Sequence, residues 1–227
     1  MVSFKGAHHP KSVILYAVYF YVRFAVSYRD LEEIMAERGV HVDHATLNRW
    51  VEKYTNIIAK QAHRRKAQAE RSWRMDETYV KVKGRWMYLY RAIDKQGETL
   101  DFMLSERRDE AAATAFFIRA IANNGFPDRV VIDKSGSNAA GLFNMNCLLV
   151  MHNWCCLIDV LQVKYLNNII EQDHRFIKKI TRPMQTFKSF NSAAATLAGI
   201  EVAHMIRKGQ FDRSGKSGFE QFAELAR

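Results

Sequence analysis

The hydrophobic periodicity of this chain changes at Trp73, and the change separates two kinds of structure. Before Trp73, apolar residues recur at helical spacing, as they do across residues 44–58. After it, two runs rich in β-branched and aromatic residues, WRMDETYVKV and RWMYLYRAI, flank the dipeptide Lys83-Gly84 in a way typical of a hairpin. The sequence therefore predicts a helical N-terminal part followed by a domain that contains a sheet.

Two short helices joined near a glycine are predicted in the N-terminal part. Ser27 is a natural N-cap for the first helix, Gly39 is a natural end for it, and Asp43 can cap the second. This is the helix-turn-helix pattern, in which early residues of the second helix meet base edges. The candidate DNA-contact residues on that helix are Thr46, Asn48, Arg49 and Lys53. Any pair of short packed helices gives the same pattern, so a purely structural helix pair stays open as the alternative.

The second part of the chain has the element order of a mixed α/β domain. Three strands are predicted between residues 73 and 105, followed by a helix that Asp109 opens and by a short buried strand that ends at Asp133. The predicted fold class is a mixed sheet with flanking helices, preceded by a small all-α helix-turn-helix domain. The predicted boundaries are 1–60 for the helical domain, 61–72 for a basic linker, 73–210 for the sheet domain and 211–227 for a loose C-terminal tail.

The segment 142–163 is about as long as a membrane span, which needs roughly 20 apolar residues. Its polar residues are Asn144, Asn146, His152, Asn153, Asp159 and Gln162. So many polar groups would be costly in hydrocarbon, and the segment is therefore predicted to be a buried helix followed by a strand, with no membrane partner. Cys147, Cys155 and Cys156 form neither a paired zinc knuckle nor a spaced disulfide framework, so reduced thiols and a cytoplasmic protein are expected.

Charge and three carboxylates together point to a polyanionic partner. The chain carries 34 Lys and Arg against 24 Asp and Glu, and a net charge of +10 favours nucleic acid over an acidic membrane surface. The carboxylates are Asp76 in RMDETYVKV, Asp133 in RVVIDKSGSN and Glu171 in NNIIEQDHRFIKKI. Divalent cations such as Mg²⁺ take oxygen ligands, so carboxylates delivered by two strands and a helix could converge on one metal site.

Each carboxylate also has an ordinary structural interpretation. Asp76 and its neighbour Glu77 leave opposite faces of a strand, and alternation alone allows only one of them to point to the site. Asp133 could cap the turn that follows it, and Glu171 could be a surface helix residue. Asp173, two positions further along the helix, is expected to face away from Glu171.

A basic helix face follows the third carboxylate. Arg175, Lys178 and Lys179 stand at helical offsets that place them on the side of Glu171. Arg175 could simply pair with Glu171, whereas the two lysines exceed what one carboxylate needs and favour DNA contact. His174 has no assigned role.

With their surroundings, these motifs resemble bacterial insertion-sequence transposases of the DDE type, and most of all the insertion sequence 6 family. The resemblance covers nearly the whole chain and rests on MDETYVKVKGRWMYLYRAID, IDKSGSN, KYLNNIIEQDHRFIKK with TRPM and FKSF, and GIEVAHMIRKGQ. It implies an RNase H-like catalytic domain in which Asp76, Asp133 and Glu171 hold two Mg²⁺ ions, or Mn²⁺ in their place. The segment between Asp133 and Glu171 is a few residues longer and more apolar than is usual in the family.

The resemblance further implies a function. It is Mg²⁺-dependent strand cleavage and strand transfer at the ends of an insertion element, of the replicative cointegrate type. The implied partners are double-stranded DNA, as terminal inverted repeats and as target, and further copies of the chain in a homodimer or higher oligomer. A bacterial cytoplasm is the expected location, with association with the nucleoid when bound. Two alternatives stay open: a non-catalytic DNA-binding protein derived from a transposase, and an RNase H-like nuclease that acts on another nucleic acid.

Overall fold

The computed structural model describes residues 4, 8–134, 136–154, 157–184, 186–211 and 215–227. They form two compact units, the first made of residues 1–67 with 176–227 and the second of residues 68–175. The helices are α1 (Lys11–Arg23), α2 (Tyr28–Ala36), α3 (His44–Arg65), α4 (Glu110–Asn124), α5 (Gly136–Met151), α6 (Asn168–Thr181), α7 (Phe190–Lys208) and α8 (Gly218–Leu225). The strands are β1 (Ser72–Val82), β2 (Arg85–Asp94), β3 (Thr99–Ser105), β4 (Arg129–Ile132) and β5 (Asp159–Gln162).

The second unit is built on one five-stranded mixed sheet. Its strand order is β3-β2-β1-β4-β5. The first three strands are antiparallel neighbours, whereas β4 runs parallel to both β1 and β5. Helices α4 and α5 pack on the sheet through a core that includes Trp73, Phe116 and Leu142. This confirms the predicted mixed sheet with flanking helices.

The first hairpin forms where the sequence predicts it. Lys83 and Gly84 both have positive φ, at 49° and 78°, as a two-residue turn that matches the strand twist requires. The turn sets the register in which Asp76 stands opposite Arg91, and Glu77 opposite Tyr90. Side chains directly opposite each other share a face, so this register decides which groups can meet.

The segment 142–163 forms a helix and an edge strand, as predicted, but it is less buried than predicted. Leu142, Met145 and Leu149 of α5 face the core, whereas Phe143 is 67% exposed and Met151 is 77% exposed. A helix that packs on one side buries only one face, so an apolar sequence on its other face stays outside. Among the helices of the described residues, none is long and apolar enough to cross a membrane. Cys147 is a free thiol, and Cys155 and Cys156 lie outside the described residues.

The first unit is a helical bundle centred on α7. Helix α7 packs against α1, α3 and α8, and it buries most of its side chains. It begins at Ser189, whose side chain accepts a hydrogen bond from the Ser192 amide, and it ends at Gly209 in the left-handed conformation. The unit boundaries therefore differ from the predicted ones, because α7 was placed with the sheet and packs instead with the N-terminal helices.

Two further segments differ from the sequence-based prediction. Residues 61–65, expected in a linker, are the last turn of α3, and Ala62 is fully buried there. The tail expected to be loose contains α8, which begins with a capping box between Ser217 and Glu220 and fully buries Phe222. The glycines and serines before residue 218 suggested a loose tail, but apolar residues at helical spacing follow them.

The predicted helix pair has the predicted N-terminal caps, whereas α2 ends at Ala36, before Gly39, and α3 continues to Arg65. Ser27 and Asp30 form a capping box at the start of α2, and the Asp43 side chain accepts a hydrogen bond from the Thr46 amide at the start of α3. Gly39, after α2, has a φ of 74°. These local signals therefore placed both helices correctly.

Candidate active site

Two neighbouring parallel strands bring Asp76 and Asp133 together. Strands β1 and β4 pair with Arg74 beside Val131, and two more residues in that register carry the chain to Asp76 and Asp133. Asp133 directly follows Ile132, the last residue of β4. The side chains of Asp76 and Asp133 are 17% and 38% exposed, which leaves both accessible.

A third carboxylate, that of Glu77, also approaches this point. One oxygen each from Asp76, Glu77 and Asp133 lies within 4.8 Å of the others. Strand alternation did not predict that both neighbours on β1 would approach Asp133. Because β4 stops at Ile132, the chain leaves the sheet at Asp133, within reach of side chains from both faces.

The oxygens of Glu77 are already engaged. Its side chain is 1% exposed and forms an ion pair with the Arg108 guanidinium, while its other oxygen accepts a hydrogen bond from Asn138 Nδ2 at 2.8 Å. Asn138 Nδ2 also lies 3.4 Å from an Asp133 oxygen, and Arg108 Nη2 lies 3.8 Å from the other. Glu77 therefore has the character of a buried structural carboxylate.

Arg108 places a positive charge next to the cluster of three carboxylates formed by Asp76, Glu77 and Asp133. Partial burial acts to lower the Arg108 pKa, but the hydrogen bond and the charge of Glu77 outweigh it, so the pKa is raised. The guanidinium thus stays charged beside Glu77 and Asp133. It offsets part of the repulsion among three carboxylates that stand so close together.

Asp76 is held by residues to which the sequence assigned no part. Its Oδ2 lies 3.2 Å from His174 Nε2, and His174 Nδ1 lies 3.1 Å from Arg91 Nη1. Arg91 Nη2 donates to Asp173 Oδ2 at 2.6 Å. His174 stands three residues after Glu171 on α6, and that spacing was the available signal for a residue on the same helix side.

Glu171 lies in the first turn of α6 and is exposed. It does not belong to the group of three carboxylates whose oxygens lie within 4.8 Å of one another. It stands one helical turn before His174, which reaches Asp76. Arg175 is exposed on the same helix, and no ion pair joins these two described residues.

The predicted basic and DNA-contact residues fall into two settings. Lys178 and Lys179 are exposed in the last turn of α6. Arg49 and Lys53 are exposed on α3, and with Thr46 they line an open groove of about 820 Å³ in the first unit. Thr46 is engaged within the helix, since its hydroxyl donates to Asp43 and accepts from Arg49, both at 2.8 Å.

Asn48 has a different environment from the other candidates on α3. It is half-buried, and its Oδ1 accepts a hydrogen bond from Ser192 Oγ at 3.4 Å. Of the predicted contact residues on α3, Arg49 and Lys53 are therefore exposed, Thr46 is half-buried at the start of the helix, and Asn48 faces α7.

The cluster of three carboxylates is suited to a hard divalent cation. Asp76 and Asp133 present oxygen ligands from adjacent strands, and carboxylate oxygens are what Mg²⁺ takes from proteins. The cluster contains neither thiolate nor imidazole within its three members, which argues for a hard ion. Three carboxylate oxygens at this spacing can hold a divalent cation.

Comparison with known proteins identifies the family to which the chain belongs. A family model described as a DDE domain matches residues 70–210. Over 209 residues, the chain is 42% identical to the transposase for insertion sequence-like element IS431mec of Staphylococcus aureus, which spans 92% of this chain and 90% of that protein. The transposase of IS257 in transposon Tn4003 from the same species has the same identity and coverage. The chain belongs to the insertion sequence 6 family of DDE transposases.

Solved structures with some similarity include retroviral integrase cores. The HTLV-2 integrase catalytic core domain in complex with magnesium aligns with a TM-score of 0.47 at 16% identity, over 69% of this chain and 98% of that one. The catalytic core domain of BIV integrase aligns with a TM-score of 0.45 at 14% identity, over 69% of this chain and 95% of that one.

Proposed function

We propose that this chain is a transposase that cleaves and joins DNA strands at the ends of an insertion element, with a divalent cation held by Asp76, Asp133 and Glu171. The observation that carries the proposal is the meeting of Asp76, within β1, and Asp133, directly after the end of the adjacent parallel strand β4. Membership of a transposase family supports the same activity. The inferred outcome is a cointegrate, as the family resemblance implies.

The choice of Glu171 over Glu77 as third ligand follows from their surroundings. Glu77 is buried and already bound by Arg108 and Asn138, so metal binding would have to break those contacts. Glu171 is exposed, one turn before the histidine that touches Asp76, so its side chain has freedom to turn toward the same place. In this proposal Glu77 supports Asp133 through Asn138.

A bound metal supplies the chemistry that carboxylates alone lack. Two Mg²⁺ ions, or Mn²⁺, held by Asp76, Asp133 and Glu171 would supply the activation of a water or a DNA 3′-hydroxyl and the stabilisation of the leaving oxygen. The carboxylates of the chain would hold and orient the cations, and their negative charges would offset the positive charges of the cations. No side chain acts as a nucleophile in this scheme.

DNA would be bound by two sets of basic residues. Arg49 and Lys53, with Thr46 and Asn48, would contact an element end through α3, and Arg175, Lys178 and Lys179 would contact phosphates from α6. Joining two ends requires two active sites, so a homodimer or higher oligomer on DNA is part of the proposal. The place of action would be the bacterial cytoplasm, on the nucleoid.

Labelled candidate element ends, incubated with the protein and Mg²⁺ or Mn²⁺, test the proposal. We expect nicking at the ends followed by strand transfer into target DNA. Asp76→Asn, Asp133→Asn and Glu171→Gln should each abolish both steps while DNA binding persists. Asp128→Asn is the matched control, because Asp128 is an exposed carboxylate of the same unit whose side chain pairs with Arg71.

Three outcomes would count against the proposal. If the Asp76→Asn variant still carried out strand transfer, the reaction would not depend on the proposed metal site. Binding of ends by the native chain without any cleavage would identify a non-catalytic DNA-binding protein. Cutting of nucleic acid regardless of end sequence, without joining, would identify a nuclease.

A further inference from the structure

Arg91 and Asp76 are direct cross-strand partners, yet they are bridged by a third residue. The register of β1 and β2 places them opposite each other, where opposite charges ordinarily pair. Instead His174 lies between them, 3.2 Å from Asp76 Oδ2 through Nε2 and 3.1 Å from Arg91 Nη1 through Nδ1. Arg91 in turn is 2.6 Å from Asp173. We infer that His174, oriented by Arg91 and Asp173, is a positioning residue that holds Asp76 for metal binding.

The donor-only chemistry of arginine fixes which nitrogen of His174 carries the proton. A guanidinium has five N–H donors and no acceptor, so its partner Nδ1 must present a lone pair. In a neutral imidazole the other nitrogen then carries the hydrogen, and Nε2–H donates to Asp76 Oδ2. The direction of each hydrogen bond thus follows from Arg91 alone.

The hydrogen bond from His174 engages one oxygen of Asp76, Oδ2, and leaves Oδ1 available to a metal ion. Oδ1 makes no hydrogen bond with the residues that the structure describes, and the Asp76 side chain is partly exposed. The hydrogen bond to Oδ2 restricts the rotation of the Asp76 carboxylate about its Cβ–Cγ bond, and it thereby restricts the direction of Oδ1. Such outer partners orient metal ligands in many proteins.

Burial makes the arrangement rigid. Arg91 is fully buried and His174 is 4% exposed, so water does not compete for their hydrogen bonds. A buried arginine is expensive unless it is paired, and Asp173 supplies the charge that Arg91 needs. Asp173 and His174 are consecutive on α6, so both contacts also hold the first turns of the helix that carries Glu171.

Metal affinity tests this inference, which rests on the proposed function. We compare Mn²⁺ binding by calorimetry for the native chain, His174→Phe and His174→Gln. The phenyl ring fills similar space without a donor, so affinity should fall about 10- to 100-fold, the range seen when outer partners of metal ligands are removed. The Gln amide offers a donor group and an acceptor group, as neutral imidazole does, and should restore most of the affinity. His152→Phe, an exposed position of the same unit, should bind Mn²⁺ as the native chain does.

The Asp76→Asn variant separates failure of the inference from failure of the function. If Asp76→Asn weakens Mn²⁺ binding but His174→Phe does not, the positioning role is refuted and the metal site stands. If Asp76→Asn binds Mn²⁺ as the native chain does, the proposed metal site itself is refuted. Circular dichroism establishes a temperature at which all variants are folded.

A second measurement needs neither metal nor a variant at position 174. Nitrogen-15 NMR of the metal-free native chain distinguishes the two neutral tautomers of histidine. We expect His174 with its proton on Nε2, and the same tautomer in Asp76→Asn, because Arg91 remains. A proton on Nδ1 would overturn the inference even if His174→Phe failed to fold.

Discussion

At the residue scale, burial and one member of the cluster of three carboxylates raise the pKa of a tyrosine in the core. Tyr90 stands opposite Glu77 across the two strands, fully buried, and its hydroxyl has no hydrogen-bond partner among the described residues. Burial, and then the nearby charge of Glu77, raise the pKa of Tyr90 to about 12. A neutral phenol is therefore favoured in the folded chain more strongly than in the unfolded one.

Replacing Tyr90 with Phe should flatten the alkaline part of the stability curve. A folded pKa above the unfolded value near 10 means that stability is fully present below pH 10 and is lost as the pH rises toward 12. The Tyr90→Phe variant should lack the fall in stability that ionisation of Tyr90 causes between pH 10 and 12. At neutral pH the variant should be at least as stable as the native chain, since a buried hydroxyl without a hydrogen-bond partner among the described residues is removed. Urea unfolding between pH 8 and 11.5 measures both effects. Parallel curves for the two proteins would contradict the prediction.

The sequence predicted the positions of Asp76 and Asp133 in the fold better than it predicted the residues that form hydrogen bonds with them. Asp133 follows a strand of local apolar character, and Asp76 lies in a recognisable β run, so local signals placed both. The contact of His174 with Arg91 joins residues 83 positions apart. It depends on how α6 lies on the sheet, and no local pattern encodes that. Asp173 is predicted to face away from Glu171, and its partner Arg91 lies 82 positions away in sequence.

At the element scale, the predictions succeeded where a residue's own conformation decides the outcome. The caps of α2, α3 and α4 and the turn at residues 83–84 form as expected, because caps and tight turns depend on a few adjacent residues. The position of α7 and the order of the tail depend on packing instead. Helix α8 follows a segment rich in glycine and serine, yet its apolar side lies against α1.

Helix α8 should therefore contribute strongly to stability. The ring of Phe222 is fully buried and lies 5.3 Å from that of Tyr19. Phe222→Ala removes a buried aromatic side chain and leaves a cavity, which should lower the free energy of unfolding by about 3–5 kcal/mol. Phe219→Ala, at a half-buried position, should lower it by less. Denaturant unfolding measures both, and equal stability of Phe222→Ala and the native chain would show that the tail is loose after all.

At the scale of the whole molecule, the charge balance should govern how the chain binds DNA. A net charge of +10 favours association with any duplex, and each phosphate neutralised releases a counterion. The logarithm of the binding constant then falls linearly with the logarithm of the salt concentration, with a slope of roughly −0.9 for each phosphate contact on duplex DNA. The slope therefore counts the basic residues that touch the backbone.

The double variant Lys178→Ala and Lys179→Ala should reduce that slope by roughly 2, if both exposed lysines of α6 contact phosphates. The loss should be similar for element ends and for unrelated duplexes, because phosphate contacts carry no sequence information. Lys95→Ala is the matched control, since Lys95 Nζ already pairs with Glu70 at 2.6 Å and has less charge to offer DNA. Fluorescence anisotropy across a series of salt concentrations gives the slopes. An unchanged slope in the double variant would place the phosphate contacts elsewhere on the chain. A loss of affinity confined to element ends would mean that these lysines take part in sequence recognition.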